Sequence, residues 1–421
     1  MTLKARLLLS LMAVGVTMSL SGCGHYTCGA TFGNSTCTSS GGGINQGGGG
    51  TTSDTAFAFA VDTAGTIDGY TLDATNSTFG TTANYSAPAI PTQDSGSGMV
   101  IAQEKYLYVA FPSTFQIFGY TIDASGGLTV MSGGPIGANY LSVAPGTQNG
   151  TQNMITNPAG TLLFVASGIS NQIYVYQIGS SGGLTAASGS PFTIPFLAAN
   201  LAVDGLGKYL YITQNLGSHT GLQIAAYSIG SSGGLTAVQG SPFAFPMWQV
   251  AADPSGKYLI GTSGLSVPFN GVDDYHLYVY SIQQSGSNAG ALTAVSGSPF
   301  TTDYSPFAIA MQPNSSGNLV YSFSINDTDS EYNSVEGFSL DSTSGSLTAL
   351  SGSPFSGVSD GSWGQFDQSG AYLFVYGGIV NNGTVTSSIG ALNIGSGGIL
   401  TEPTSQLTLP TSGFWAVTDP Q

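Results

Sequence analysis

Four copies of Gly-Ser-Pro-Phe, at 189–192, 240–243, 297–300 and 352–355, set the period of this chain. The spacings between them are 51, 57 and 55 residues. A degenerate copy, Gly133-Gly134-Pro135, stands ahead of the first. Each full copy follows a Leu-Thr pair, at Leu184, Leu235, Leu292 and Leu347, and Leu128 and Leu400 open two more such pairs. A unit repeated at this interval cannot bury its apolar face alone, so the repeats must stack on one another around or along an axis.

A second motif interleaves with the first. It is an apolar, tyrosine-rich run: Tyr106 to Val109, Leu162 to Val165, Tyr209 to Ile212, Tyr258 to Ile260, Leu319 to Tyr321 and Tyr372 to Val375, with Thr55 to Val61 as the first and weakest copy. A third run follows each, as in Ile173 to Ile178 or Leu277 to Ile282. β-Branched and aromatic residues suit pleated strands, and the Gly, Ser, Asn and Pro between them make turns. Each unit therefore reads as four antiparallel strands. Residues 55–421 divide into seven units of about 52 residues, which predicts an all-β, seven-bladed β-propeller. The first unit begins at its second strand. The chain ends in Phe414-Trp415-Ala416-Val417-Thr418-Asp419-Pro420, which matches the inner strands Trp248 to Pro254 and Phe307 to Pro313. The last strand is expected to complete the first blade and remove two open sheet edges.

Composition narrows the function classes. The chain has 421 residues, 5 Lys+Arg against 21 Asp+Glu, and a formal net charge of −16. So few cations exclude nucleic acid as a partner, because that affinity comes largely from Lys and Arg on phosphates. The 21 Phe and 21 Tyr exclude a disordered chain.

Residues 1–22 read as an export signal. Lys4 and Arg6 precede an apolar run from Leu7 to Leu20, too short to span a bilayer. The run closes on Leu20-Ser21-Gly22-Cys23, which resembles the lipobox of bacterial lipoproteins. That resemblance implies lipidation of Cys23 and anchoring by acyl chains. With Gly24 after the Cys, it points to the outer membrane or cell surface. Removal of 1–22 takes Lys4 and Arg6, leaving three Lys, no Arg and a formal −18. Residues 23–52, rich in Gly, Ser and Thr, have the composition of a flexible tether. Cys28 and Cys37 lie in it, either as a disulfide of an oxidising compartment or as two free thiols. Residues 53–421 form the propeller domain.

The succession Asp-Pro-Ser-Gly-Lys-Tyr-Leu (253–259), Leu-Tyr-Val-Tyr-Ser-Ile (277–282) and Leu-Thr-Ala-Val-Ser-Gly-Ser-Pro-Phe (292–300) resembles the lactonase family of seven-bladed propellers. That family includes 6-phosphogluconolactonase-like proteins and muconate-lactonising enzymes. The resemblance covers about residues 55–421, and its motifs are structural. It implies the fold, and it implies a lactonase (a carboxylic ester hydrolase) if the protein is an enzyme.

In such a ring, the turns after each inner strand lie on one face, and the second-to-third-strand loops and blade links lie on the other, where propellers bind ligands. Lys105, Lys208 and Lys257 share one repeat position just after the first turn, so they belong to the non-ligand face. The ligand face gathers His219, Asp273, Asp274, Asp303, Tyr304, Asp327, Asp329, Glu331 and Asp360. His219, in the loop 213–221, is the candidate general base, since imidazole titrates near neutrality; the alternative is a solvated loop histidine. Asp273 and Asp274 are a candidate carboxylate pair, although adjacent residues of an extended chain point apart. His276 opens a strand and is expected to pack or hydrogen-bond there. Asp327, Asp329 and Glu331 alternate oxygen donors as a calcium loop does, but Tyr332 stands where such a loop needs Gly. A Ca²⁺ site and a solvated acidic loop both remain open, and no other cofactor is implied. Trp248, Trp363 and Trp415 are expected at matching inner-strand positions, either packed near the channel or, with Tyr304, forming a ligand-stacking surface. The sequence thus predicts an exported, monomeric, membrane-anchored propeller. It reads as a non-catalytic protein that binds a glycan, a small molecule or an envelope protein. The alternative is a hydrolase of neutral lactones.

Overall fold

The structure is a computed structural model. It describes residues 26–29, 36–39, 55–61, 66–73, 78–86, 98–111, 116–132, 136–137, 154–167, 170–215, 221–263, 274–313, 318–324, 335–355, 363–367, 370–381, 384–401, 406–408 and 415–418. The chain divides into two units, Met1–Thr52 and Ser53–Gln421. In the first, Tyr26–Gly29 pairs antiparallel with Thr36–Ser39, and the register sets Cys28 opposite Cys37. The expectation of a coil throughout the tether therefore fails over these eight residues, where Tyr, Thr and Cys replace the Gly runs. Cys23 and residues 1–22 lie outside the described residues.

The second unit is an all-β propeller of antiparallel sheets. Six sheets are each built from one continuous stretch, and we number these blades one to six. They cover residues 98–137, 154–193, 198–237, 249–301, 308–349 and 363–408. Blade four orders its strands from inside to outside as Gln249–Ala252, Tyr258–Thr262, His276–Ile282 and Leu292–Ala294. Blade five does the same with Ala308–Met311, Leu319–Phe323, Val335–Leu340 and Leu347–Ala349. A further sheet is composite. Trp415–Thr418 is its inner strand, followed by Thr55–Val61, Thr66–Asp73 and Thr78–Ser86. Ala58 pairs with Val417 and Ala60 with Trp415, so the two ends of the domain are joined by a β-ladder, as the sequence leads one to expect. The only described helical element is the single 3₁₀ turn Ser396–Gly398. No described helix is long and apolar enough to cross a membrane.

The repeated motifs work as joints. In each Gly-Ser-Pro-Phe copy the serine hydroxyl accepts a backbone N–H from the third strand: Val175 to Ser190 (2.9 Å), Ala226 to Ser241 (2.8 Å), Val279 to Ser298 (3.0 Å) and Gly337 to Ser353 (3.0 Å). The acidic or amide residue of the first turn caps the second strand. Asp253 Oδ1 accepts from Tyr258 N (2.6 Å), and Asn157 Oδ1 accepts from Leu162 N (2.8 Å). Tyrosines latch blade to blade. Tyr108 donates to the carbonyl of Gly182 (2.6 Å), Tyr211 to Gly290 (2.9 Å) and Tyr321 to Gly398 (2.6 Å). Gly290 has φ +90, and a Cβ there would stand 2.6 Å from Tyr209 Cδ1, so only glycine lets the ring approach.

Side chains of alternate residues face opposite neighbours, and this closes a core between every pair of described blades. Between blades four and five it contains Ile260, Leu277, Val279, Ile309, Val320 and Phe338. Lys257 reaches the carbonyl of Ser342, in the turn between the third and fourth strands of blade five (3.1 Å). The cation therefore sits on the face opposite the second-to-third-strand loops.

Candidate functional site

Inner strands of five blades enclose a cavity of about 200 Å³ along the channel. Its described lining is Ile155, residues 200–203, 249–252 and 309–311, and residues 363–366. None of these residues is ionisable. Three are amides, Asn200, Gln249 and Gln365, and one is an indole, Trp363. Strand pairing places Asn200, Gln249 and Trp363 at the same level, four residues before the turn residues Asp204, Asp253 and Asp367. That level is nearer the blade links than the lysine-bearing turns. Asn200 Oδ1 accepts Val250 N (3.3 Å), so one amide is committed to joining blades three and four.

The three tryptophans are not equivalent, contrary to expectation. Trp363 and Trp415 precede their turn Asp by four residues, Trp248 by five. In a strand, one residue of offset turns a side chain to the other face. Trp248 accordingly packs with Ala199 and Leu222, 9% exposed, away from the channel lining. Its carbonyl accepts Thr213 Oγ1 (2.7 Å). The side chain of Trp415 lies outside the described residues.

A second group of polar residues sits at the link side of blade four. His276 Nδ1 and Asp274 Oδ1 are 2.6 Å apart, and Tyr278 donates to Asp274 Oδ2 (2.9 Å). Asp274, His276 and Tyr278 alternate along extended chain, so all three share one side of the sheet. Burial, then the Asp274 bond and charge, pushes the Tyr278 phenol up, so it stays a neutral donor. The Asp274 side chain is 13% exposed and that of His276 39%. With Nδ1 held by the carboxylate, Nε2 is the nitrogen left to face solvent.

Asp274 is thus brought to His276, which hydrogen-bonds as its place at the start of a strand leads one to expect. His219, Asp273, Asp327, Asp329, Glu331 and Asp360 lie outside the described residues. Tyr304 is half-buried; its carbonyl accepts Thr302 Oγ1 (2.6 Å), and its N–H reaches Glu336 Oε2 (3.4 Å). Among the described residues no three His, Cys, Asp or Glu side chains come together as a metal site. Glu336 went unnoticed in the sequence. It is 2% exposed and accepts Asp303 N on Oε1 (2.7 Å). Burial, opposed by those two N–H bonds and aided by the Asp303 charge, pushes it up to about 7. Repeat alignment carries the missed signal: Glu336 occupies the third-strand place of Tyr174 and Tyr278.

No family model matches this chain, and no curated protein matches it. Solved structures do. A candidate 6-phosphogluconolactonase from Bacteroides uniformis is 14% identical, covering 87% of this chain and 100% of that one, at a TM-score of 0.59. One from Bacteroides fragilis is 15% identical, covering 88% and 99%, at 0.58. A protein of unknown function from Desulfotomaculum acetoxidans is 13% identical, covering 87% and 99%, at 0.58. At these identities the likeness establishes the propeller fold.

Proposed function

We propose that the chain is an exported lipoprotein, anchored through Cys23 at the outer membrane or cell surface, whose propeller binds an uncharged, hydroxyl-rich ligand in the channel without transforming it. One observation carries this reading: the described channel lining holds amides and an indole but no ionisable group. Amides pair with hydroxyls as donor and acceptor at once, and an indole face stacks on the apolar face of a sugar ring. A cavity of about 200 Å³ is below the roughly 300–1,000 Å³ of drug-sized sites, which suits one sugar-sized group of a glycan. Titration of the purified mature chain with uncharged oligosaccharides, followed by tryptophan fluorescence, tests it. Trp363→Ala is expected to weaken binding about tenfold, equivalent to ~1.4 kcal/mol; because Trp363 also packs against the cores on both sides of its blade, the affinities are compared well below the variant's own, lower melting temperature. Equal affinity in that variant would move the ligand out of the channel.

A second reading, a hydrolase of neutral lactones, rests on the Asp274–His276 contact and on a fold shared with candidate lactonases. His276 Nε2 would take a proton from water as its oxygen attacks the carbonyl carbon, then return it to the departing ring oxygen as the C–O bond breaks. Asp274 would hold the imidazole and balance its charge. Its signature is lactone hydrolysis lost in His276→Ala.

A further inference from the structure

Between blades four and five lies a cluster of buried polar side chains that neither reading uses. Ser322 stands opposite Glu336 in the ladder of blade five, so the two side chains share a face, with Cβ atoms about 4.5–5.5 Å apart. Ser324, two residues on, follows on the same side by alternation. Ser322 and Ser324 are 0% and 2% exposed, and neither hydroxyl has a hydrogen-bond partner. Glu336 accepts the N–H groups of Asp303 and Tyr304, which leaves acceptor capacity on both of its oxygens.

A buried carboxyl either keeps its proton or, once ionised, needs a compensating charge. Blade four faces this one with Ile260, Leu277 and Val279, and the inner strand of blade five adds Ile309. The link contributes Tyr304 and Asp303, a second acid. Tyr275, 42% exposed, is a phenol at the rim. His276 and its Asp274 partner occupy the other side of blade four, and Lys105, Lys208 and Lys257 share the repeat position at the opposite face. Among the described residues no basic side chain faces Glu336.

We infer that this cluster binds a monovalent alkali cation, sodium in ordinary buffers, through the Glu336 carboxylate and the Ser322 and Ser324 hydroxyls. Carboxylate and hydroxyl oxygens are hard donors suited to such an ion. One positive charge neutralises the one buried carboxylate; Asp303 is exposed and solvated, so a divalent ion would leave net charge in an apolar seam. A water molecule would satisfy the hydroxyls but leave the carboxylate unbalanced. The ion ties down residues 302–307, the link that feeds the channel-lining strand Ala308–Met311.

The test is the melting temperature of the purified mature chain at pH 8, in sodium chloride and in choline chloride at equal ionic strength. Sodium is expected to raise it by a few degrees. The difference should vanish at pH 5, where a proton occupies Glu336, and in E336Q, which keeps the shape and the acceptor for Asp303 N. The double variant S322A/S324A should shrink it. Equal melting temperatures in the two salts at pH 8, a full sodium response in E336Q, or a response to calcium alone would overturn the assignment.

Discussion

Glu336 shows how one residue can give a propeller a pH dependence. Its repeat position holds tyrosine in blades two and four, where the phenol stays neutral across the physiological range. The carboxylate does not. Burial raises it from an ordinary value of 4.5 to about 7, so the folded chain holds this proton more tightly than the unfolded chain. Below the unfolded value both states are protonated and there is no penalty. As the pH rises through this interval, the unfolded state ionises first and stability falls; above about 7 the loss is complete, on the order of 3 kcal/mol. In sodium-free choline buffer, urea unfolding should therefore show stability declining between about pH 4.5 and 7. E336Q should remove that decline and leave the chain more stable at pH 8. An unchanged decline in E336Q would assign it to another group.

At the scale of the strand, the sequence motifs were legible because they are joints. Gly-Ser-Pro-Phe recurs because its serine caps the third strand in four blades, and Asp or Asn recurs at the first turn because it caps the second. Ser298→Ala leaves Val279 N–H without its acceptor, and should destabilise the chain by about 1–2 kcal/mol in urea unfolding; a change below ~0.3 kcal/mol would mean that water replaces the hydroxyl. Finer readings failed where a single residue of offset matters. Trp248 resembles Trp363 in composition but sits one place earlier, so it turns to a different face. In the sequence, Asp273 and Asp274 pair as neighbours, which sets His276 apart from Asp274. Extended chain brings together residues two apart, which links 274, 276 and 278. The buried role of Glu336 depends on which blade faces it, and repeat spacing carries no such information.

For the whole molecule, closure and charge distribution follow from chain order. The composite sheet ties Trp415–Thr418 to Thr55–Val61. Deletion of residues 413–421 should expose two sheet edges and yield an aggregating, poorly folded protein by light scattering and circular dichroism. An unchanged melting temperature in the truncated chain would contradict closure. Residues 23–421 contain no Arg, their three Lys share one repeat position just after the first turn, and their formal charge is −18. A phosphorylated sugar lactone needs cationic donors for its phosphate, where Arg serves best, and an acidic surface repels it over about 8–10 Å. The described channel lining offers that ligand no charge at all.

The central claim, that the propeller binds an uncharged ligand and does not turn over an anionic one, is tested most directly by acid release from fresh 6-phosphogluconolactone. The assay uses the purified mature chain, with and without Ca²⁺, corrected for spontaneous hydrolysis, beside an unphosphorylated sugar lactone. The account predicts no acceleration of 6-phosphogluconolactone hydrolysis. Catalysed hydrolysis of either lactone that His276→Ala abolishes would contradict the non-catalytic reading and make the Asp274–His276 pair the active site.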